Sequence, residues 1–512
     1  MSDHGFRGIL ASASVVGAGM LFSKAITLFA EIAVARELAT AEFGAAIFAY
    51  TILLTIGGIA LIGIPEGFTY YLSILDERGD TESAFRIVVS GVVILAVVLG
   101  TSVFTIYAIP FALVEPFGVS RAQWGWLELL APLAIAYPVS QLSFGIMRGY
   151  DRSLPKVLSD DVLNKLIAFG ALGVAIWQNA GMLIFLSFYL GQYLLSSLFA
   201  GGYAIYLLKT KLTRVTALDR FGEDARRLFS YSWPLAFKNA TRRLLGNTDI
   251  VLVGALLASS AVGYYRVGYV ISQLGMIALV SITYLFTPRM ARRYDNDDRE
   301  GMEYLYRRAT KWSTLLAFPL LLTMIYYPTE LIELFFGAEY APGSVVLIIL
   351  AVDVLFRTGM GTAAAVLRAI DRTRVDFVVT AVTTIANVGL SYVLIRELGV
   401  VGAAVGTFLS ILFMNTVQIF LVYSFVSIHP FSKRYITGTV SLGVVSVLIF
   451  LLIDSTIGDM TIGRINLSVT MVLFAAVFVT AEILLAWFGG LLIRSEKDAI
   501  HEAVRGLSSR IP

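Results

Sequence analysis

Long apolar stretches, separated by short polar or basic segments, recur along the whole chain. An α-helix needs a run of about 20 apolar residues to cross the hydrocarbon core of a bilayer. The pattern therefore predicts about fourteen membrane-spanning helices. Their predicted ranges are 9–34, 43–64, 84–108, 123–146, 157–177, 182–206, 233–257, 261–286, 311–329, 343–366, 376–395, 399–424, 435–454 and 466–492.

The predicted span 233–257 differs from the others because charged residues lie in its middle. Lys238, Arg242 and Asp249 follow at helical spacing and fall on one face. Arg243 points about 100° away from Arg242. A charge at the bilayer centre costs about 2.5–3.5 kcal/mol on insertion scales. This face therefore predicts a polar cavity inside a helical bundle.

The composition agrees with a polytopic membrane protein and narrows its chemistry. The 512 residues are 57% hydrophobic and 15% charged, with a mean hydropathy of +0.79. A soluble protein could not keep that much apolar surface from water. Cysteine is absent, which excludes disulfides and thiolate metal sites. The first apolar run has span length and no small-residue cleavage pattern, so we expect no cleavable signal peptide.

Basic residues are unevenly distributed among the predicted loops. Most of the 39 lysine and arginine residues lie on the side of the N-terminus, and the opposite loops hold only Arg36, Arg121, Arg396 and Arg464. Because positive loops stay cytoplasmic, both termini are predicted inside, in the plasma membrane. The longest loops, 207–232 and 287–310, are interpreted as solvated basic segments, with short surface helices as the alternative.

A short repeat predicts how the helices are arranged. LATAEFGAAIFAY (38–50) aligns with LASSAVGYYRVGY (257–269), and Lys24 and Glu31 repeat the spacing of Arg242 and Asp249. Parallel repeats of this kind build transporters with a site near mid-membrane. We expect an all-α membrane protein with two six-helix lobes, related by a pseudo-two-fold axis along the membrane normal, plus two C-terminal helices. The predicted ranges are 1–232 and 233–432 for the lobes, 433–494 for the added helices and 495–512 for a cytoplasmic tail.

A surplus of cations over acids in the spans predicts a site for an anionic group. Arginine offers a rigid fork of donors for phosphate or carboxylate, and lysine a point charge. The candidate substrate-binding residues are Lys24, Lys238, Arg242, Arg243, Lys165 and Arg357. Alternatively, these cations pair with acids or reach to the lipid interface.

Acids and tyrosines supply the other candidate groups. Asp353 and Arg357 are spaced i,i+4, which permits an intrahelical ion pair. The residues considered for charge pairing or for a coupling H⁺ or Na⁺ are Glu31, Asp249 and Asp353. An interfacial aromatic belt explains the tyrosines that begin the predicted eighth span, Tyr264, Tyr265 and Tyr269.

Enzyme motifs are missing from the sequence. It contains no GxxxxGK[ST] phosphate loop, so the chain is not its own ATPase. The three histidines, His4, His429 and His501, lie outside the predicted spans and suggest no metal cluster. We expect a non-enzymatic, monomeric transporter without metal, cofactor or nucleic-acid partner. A membrane glycosyltransferase or polymerase would need a large outer loop or an acidic catalytic motif.

Several stretches resemble the polysaccharide or oligosaccharide flippases, the Wzx-like branch of the multidrug/oligosaccharidyl-lipid/polysaccharide exporter superfamily. These are AVARELATAEFG (33–44), with Ala41 where proline is frequent, then IVLVGALLASSAVGYY (250–265), LRAIDRTR (367–374) and GVVGAAVGT (399–407). The resemblance covers essentially the whole chain.

The resemblance implies transfer of a lipid-linked oligosaccharide from the inner to the outer leaflet by alternating access of two lobes. It also implies that cavity cations bind the phosphate or pyrophosphate of that lipid. The matching positions are Lys24, Lys238, Arg242 and Arg243. A peptidoglycan-precursor flippase and a multidrug antiporter are the alternatives, although the cavity of an antiporter should be rich in acids.

Overall fold

Apolar helices dominate the structure, because a chain in lipid must satisfy its backbone hydrogen bonds internally. A computed structural model describes residues 22–152, 155, 162–212, 221–457, 464–488 and 497. Within these ranges the chain forms helices and turns, without strands. The α-helices are 22–37, Thr40–Ala60, Ile64–Arg78, Thr81–Ala108, Phe111–Val114, Arg121–Leu130, Leu133–Gly149, Asn164–Trp177, Met182–Tyr189, Gly191–Lys211, Phe221–Leu256, Ser259–Ser272, Met276–Asp295, Arg299–Tyr326, Pro328–Phe335, Ser344–Met360, Ala363–Ala369, Thr373–Leu398, Val400–Val426, Lys433–Ile457 and Arg464–Phe488.

Many of the described helices are long and apolar enough to cross a membrane. Every predicted span overlaps a helix, although residues 9–21 of the first one and most of the tail 495–512 lie outside the described ranges. Of the described helices, 9 are long and apolar enough to cross a membrane, or up to 11 if each of two bent pairs is one span. The chain is therefore a multi-pass membrane protein whose described part is helical. Its number of crossings stays a prediction.

The helix with the charged face is longer than its predicted span. Phe221–Leu256, here called the charged helix, has 36 residues and extends about 54 Å at 1.5 Å per residue. That length exceeds the hydrocarbon core of about 30 Å. It is too polar to count among the candidate spans of the described chain by hydropathy. It also takes up 221–232, where the basic pattern indicates a solvated loop.

The segment 287–310 is helical, and its interpretation as a solvated loop is wrong. Met276–Asp295 and Arg299–Tyr326 form a helical hairpin in which only residues 296–298 separate the helices. Apolar side chains from both helices, Phe286, Met290, Met302 and Tyr306, are buried in one cluster. Burial of each such side chain contributes about 1.5–3 kcal/mol, which keeps this basic segment folded.

The chain divides into two compact units. The first comprises Met1–Arg266 and Asn387–Ala403, and the second comprises Val267–Ala386 and Ala404–Pro512. In the first unit the charged helix packs on Thr40–Ala60. In the second unit the two helices of the hairpin pack on each other. The predicted lobes have other bounds and stay a prediction.

Matched positions of the two repeat segments contact each other in the first unit. A Cβ added to Gly44 would lie 1.8 Å from the Ser259 carbonyl oxygen and 3.0 Å from the backbone nitrogen of Gly263. Gly44 and Gly263 occupy the same place in 38–50 and 257–269. Only a residue without Cβ permits this approach.

Helix caps recur in the two units. Asp80 begins Thr81–Ala108, which has 28 residues, and accepts a hydrogen bond from the backbone N–H of Ser83. Asp298 begins Arg299–Tyr326, also 28 residues long, and accepts from the N–H of Gly301. A carboxylate at this position satisfies a helix N–H that otherwise lacks a partner. The repeated geometry therefore extends beyond the short repeat found in the sequence.

An Asp-Arg turn also occurs once in each unit. Asp151 has φ 55° and Asp371 has φ 57°, left-handed values that aspartate tolerates better than most residues. In each turn the next residue donates its backbone N–H over 2.8 Å to a carbonyl of the preceding helix. An arginine lies three positions before each of these aspartates, Arg148 and Arg368.

Candidate functional site

A polar cavity of about 240 Å³ lies in the first unit beside the charged helix. Glycines let the charged helix approach closely. At Gly63, which has φ +70°, an added Cβ would lie 2.4 Å from the Ser232 carbonyl oxygen. The cavity is lined by Gly58, Leu61, Pro65, Glu66, Gln141, Arg148, Asn239, Arg242 and Arg243. Three arginines and one glutamate make its lining cationic.

The three arginines are held differently. The Arg243 guanidinium donates to the Tyr137 hydroxyl, and its Cζ lies 5.2 Å from the centroid of that ring. Arg148 donates from Nε to the Phe144 carbonyl oxygen over 3.3 Å. Arg242 is exposed to the cavity, and within the described residues it forms no ion pair. Arg242 is therefore the cation with the most freedom to meet a ligand.

The acid of the cavity is held by an amide. Asn239 donates from Nδ2 to Glu66 Oε1 over 3.1 Å. Gln141 adds a second amide to the lining. The cavity thus combines guanidinium donors for an anionic group with amide and carboxylate groups that can hydrogen-bond hydroxyls.

The other predicted cations do not line this cavity. Lys24 is exposed on helix 22–37, and Lys238 is half-buried on the charged helix. Lys165 donates from Nζ to Thr27 Oγ1 over 2.8 Å. In the second unit, Arg357 Nη2 lies 2.6 Å from Asp353 Oδ2, which is the intrahelical ion pair that their spacing permits.

Both acids of the predicted cation–acid pairs contact the helix Ser259–Ser272. Arg266 donates to Glu31 from Nε over 2.5 Å and from Nη2 over 3.0 Å, and Glu31 is buried. The Tyr265 hydroxyl donates to Asp249 Oδ2 over 2.6 Å. Tyr265 is itself buried, so its interpretation as part of an interfacial belt is wrong.

Sequence reasoning misses the four polar lining residues Glu66, Gln141, Arg148 and Asn239, and one ion-pair partner, Arg266. The basic pattern places Arg148 in a cytoplasmic loop, although it lies in the last turn of the helix Leu133–Gly149. The polar side chains Glu66, Gln141 and Asn239 carry no spacing signal of their own, and Arg266 lies far along the chain from Glu31. Among the described residues, no group of three or more His, Asp or Glu could hold a metal ion.

Comparison with known proteins agrees with this architecture. Residues 174–345 match the family described as "Polysaccharide biosynthesis protein". The chain is 23% identical over 418 residues to "Probable low-salt glycan biosynthesis flippase Agl15" of Haloferax volcanii, covering 81% of this chain and 82% of that protein.

Two solved structures share the fold. The "Lipid II flippase MurJ, inward closed conformation" has a TM-score of 0.71 and 15% identity, over 93% of this chain and 99% of that chain. An inward-facing multidrug resistance MATE family transporter has a TM-score of 0.64 and 15% identity, over 79% and 94%. At this identity the likeness concerns the fold alone.

The matched family is described by polysaccharide biosynthesis, and the matched relative is named as a glycan biosynthesis flippase. The two solved structures that share the fold are a flippase and a transporter. Both sequence matches agree with the resemblance to the Wzx-like polysaccharide flippases found in the sequence.

Proposed function

We propose that the protein moves a lipid-linked oligosaccharide, bearing phosphate or pyrophosphate, from the inner to the outer leaflet by alternating access. The product would serve surface glycan or glycoprotein synthesis. The observation that carries this proposal is the arginine cavity, in which Arg148, Arg242 and Arg243 outnumber the single acid Glu66. An anionic headgroup complements such a lining, and a cationic drug does not.

Within this cavity, Arg242 would bind the phosphate and Arg243, fixed on Tyr137, would set its position. Gln141, Asn239 and Glu66 would contact sugar hydroxyls. Lys24 and Lys238 remain proposed contacts on the path of the headgroup. Lys165 and Arg357 have protein partners, which favours a structural role for both.

An inside-negative potential favours outward movement of the anionic headgroup by about 2.3 kcal/mol per charge per 100 mV. In the predicted orientation, with both termini cytoplasmic, the headgroup would enter from the inner leaflet and leave on the outer side. If H⁺ or Na⁺ resets the protein, the proposed groups are Asp249, Glu31 and Asp353, and Asp249 accepts a hydrogen bond from the Tyr265 hydroxyl. Glu31 and Asp353 are engaged by arginines.

The proposed alternatives are a peptidoglycan-precursor lipid flippase and a multidrug-type antiporter. Both alternatives are retained because the chain shares its fold with a lipid II flippase and with a MATE family transporter. The cationic cavity favours a lipid phosphate over a cationic drug. A flipping assay with several defined lipid-linked sugars separates the first alternative from our proposal.

The test of the proposal is Arg242→Ala in proteoliposomes that contain a fluorescent lipid-linked oligosaccharide. We expect flipping to fall about tenfold or more, because a hydrogen bond to a charged group contributes about 1.5–3 kcal/mol. Arg226→Ala is the matched control, since Arg226 is an exposed arginine of the same helix outside the cavity. Unchanged flipping by a folded Arg242→Ala protein would contradict the role of this residue.

A further inference from the structure

A second basic site lies in the other unit, between the two helices of the hairpin. It is a groove of about 850 Å³ and shares no lining residue with the arginine cavity. Met276–Asp295 and Arg299–Tyr326 both contribute to its lining. The basic lining residues are Arg289, Arg292, Arg293 and Arg308.

Two of these arginines are available to a ligand. Arg293 Nη1 lies 2.5 Å from Asp298 Oδ2, so its charge is largely compensated. Arg308 donates from Nη1 to the Tyr304 hydroxyl over 3.0 Å. Arg289 and Arg292 are exposed, and in the described part of the chain neither forms an ion pair. The groove therefore carries uncompensated positive charge, with Asp298 as the acid in its lining.

The polarity of the groove changes along its length. On the first helix, helical spacing places Arg292, Arg289 and Leu285 on one face, and Asn296 follows the end of this helix in the turn. On the second helix, steps of four residues give Tyr304, Arg308, Trp312 and Leu316. Both series run from polar at the hairpin turn, through arginine, to apolar. Leu285 is 53% exposed and Leu316 is 60% exposed, so the apolar end lies open.

We propose that this groove binds an anionic phospholipid of the inner leaflet, with its phosphate on Arg289 and Arg292 and its acyl chains along Leu285 and Leu316. A free phosphate would make no use of the exposed leucines, and a neutral lipid would make no use of the arginines. The hairpin turn is on the side predicted to be cytoplasmic, where anionic headgroups attract basic residues. This lipid is a bound component of the protein and not the transported substrate.

The experiment measures contact between Trp312 and brominated lipids, which quench tryptophan fluorescence at short range. The full chain is placed in vesicles of neutral phosphatidylcholine with increasing brominated phosphatidylglycerol or brominated phosphatidylcholine. The signal of Trp312 is the difference between the wild-type protein and Trp312→Phe. We expect the anionic lipid to quench Trp312 at a lower mole fraction than the neutral lipid. Equal quenching by the two lipids in the wild-type protein would overturn the proposal.

The arginines are tested by the double variant Arg289→Gln with Arg292→Gln. Each arginine near a charged surface contributes a factor of about five, so the required fraction of anionic lipid should rise about tenfold or more. The matched control is Arg374→Gln with Arg434→Gln, two exposed arginines of the same unit outside the groove. Its quenching curve should stay within about twofold of the wild type. An equal rise in both double variants would mean that only general surface charge acts.

Two competitors identify the occupant. Neither millimolar inorganic pyrophosphate nor an added lipid-linked oligosaccharide should relieve quenching by phosphatidylglycerol. Relief by pyrophosphate would make the groove a site for free phosphate, and relief by the lipid-linked sugar would make it a substrate site. Either result would contradict a retained phospholipid. The outcome is independent of flipping by Arg242→Ala, so the two proposals can fail separately.

Discussion

At the scale of single residues, the charged side chains differ in whether they form ion pairs within the protein or are exposed to the cavity. Glu31 is buried and receives two hydrogen bonds from Arg266. Arg242 is exposed to the cavity and forms no ion pair among the described residues. A buried pair is costly to break, because its remaining partner becomes an isolated charge in a medium of low polarity. An open arginine is available to a ligand.

The Glu31–Arg266 pair gives the first stability prediction. Glu31→Gln should lower the free energy of unfolding by about 3–5 kcal/mol, because it removes the buried carboxylate that accepts two hydrogen bonds from the Arg266 guanidinium. Thermal unfolding of the detergent-solubilised protein measures the change. The double variant with Arg266→Gln should cost less than the sum of the two single variants. Additive losses would mean that the two side chains do not interact.

Part of this site is predictable from the sequence. The helical spacing of Lys238, Arg242 and Asp249 is enough to indicate a polar cavity beside their helix. Pairs such as Glu31 with Arg266 depend on tertiary packing of distant segments, which periodicity in one helix does not encode. Arg148 follows an apolar helical run and has the pattern of a loop residue, yet it lines the cavity.

At the scale of elements, the basic hairpin explains why hydropathy alone is insufficient. Arginines throughout 287–310 suggest a solvated loop. The apolar residues between them, Met290, Met302 and Tyr306, recur at intervals that place them on the inner faces of two helices. A hydropathy average hides this amphipathic pattern, whereas uniformly apolar helices such as Val400–Val426 are predicted to within a few residues.

The contact at Gly44 gives a prediction for helix packing. Gly44→Ala should lower the free energy of unfolding by about 1–3 kcal/mol, because the added methyl overlaps the Ser259 carbonyl oxygen. Gly100→Ala is the matched control in another helix, where nothing lies within 4 Å of the added Cβ. It should be neutral or stabilise by about 0.5–1 kcal/mol. A Gly44→Ala protein as stable as the wild type would argue against the close approach.

At the scale of the whole molecule, the recurrence of features is more informative than any one of them. The Asp caps and the Asp-Arg turns place the same local geometry in both units, and the paired glycines bring the two repeat segments into contact. The repeat at 38–50 and 257–269 is visible in the sequence because side chains match in place, whereas the caps and turns share mainly backbone geometry. The number of crossings, predicted from the apolar runs, and the two-lobed arrangement, predicted from the short repeat, stay predictions.

The predicted orientation is tested with single cysteines, for which a chain without native cysteine is well suited. Asn296→Cys lies in the hairpin turn, and Glu339→Cys lies beyond the second helix of the hairpin. Both positions are exposed. A membrane-impermeant maleimide should label Glu339→Cys in intact cells and Asn296→Cys only after permeabilisation. Labelling of both positions from outside would exclude a crossing between them.

Arg148 and Arg368 hold the same place before their Asp-Arg turns, but their surroundings differ. Arg368 donates to Asp376 over 3.1 Å, and Gln418 donates to the other oxygen of Asp376 over 3.0 Å. The Asp376 carboxylate therefore makes the electrostatic potential near Arg368 differ from that near Arg148, although the two turns have similar backbones. A comparison of backbone shape alone will match the two turns. A map of surface potential will tell them apart.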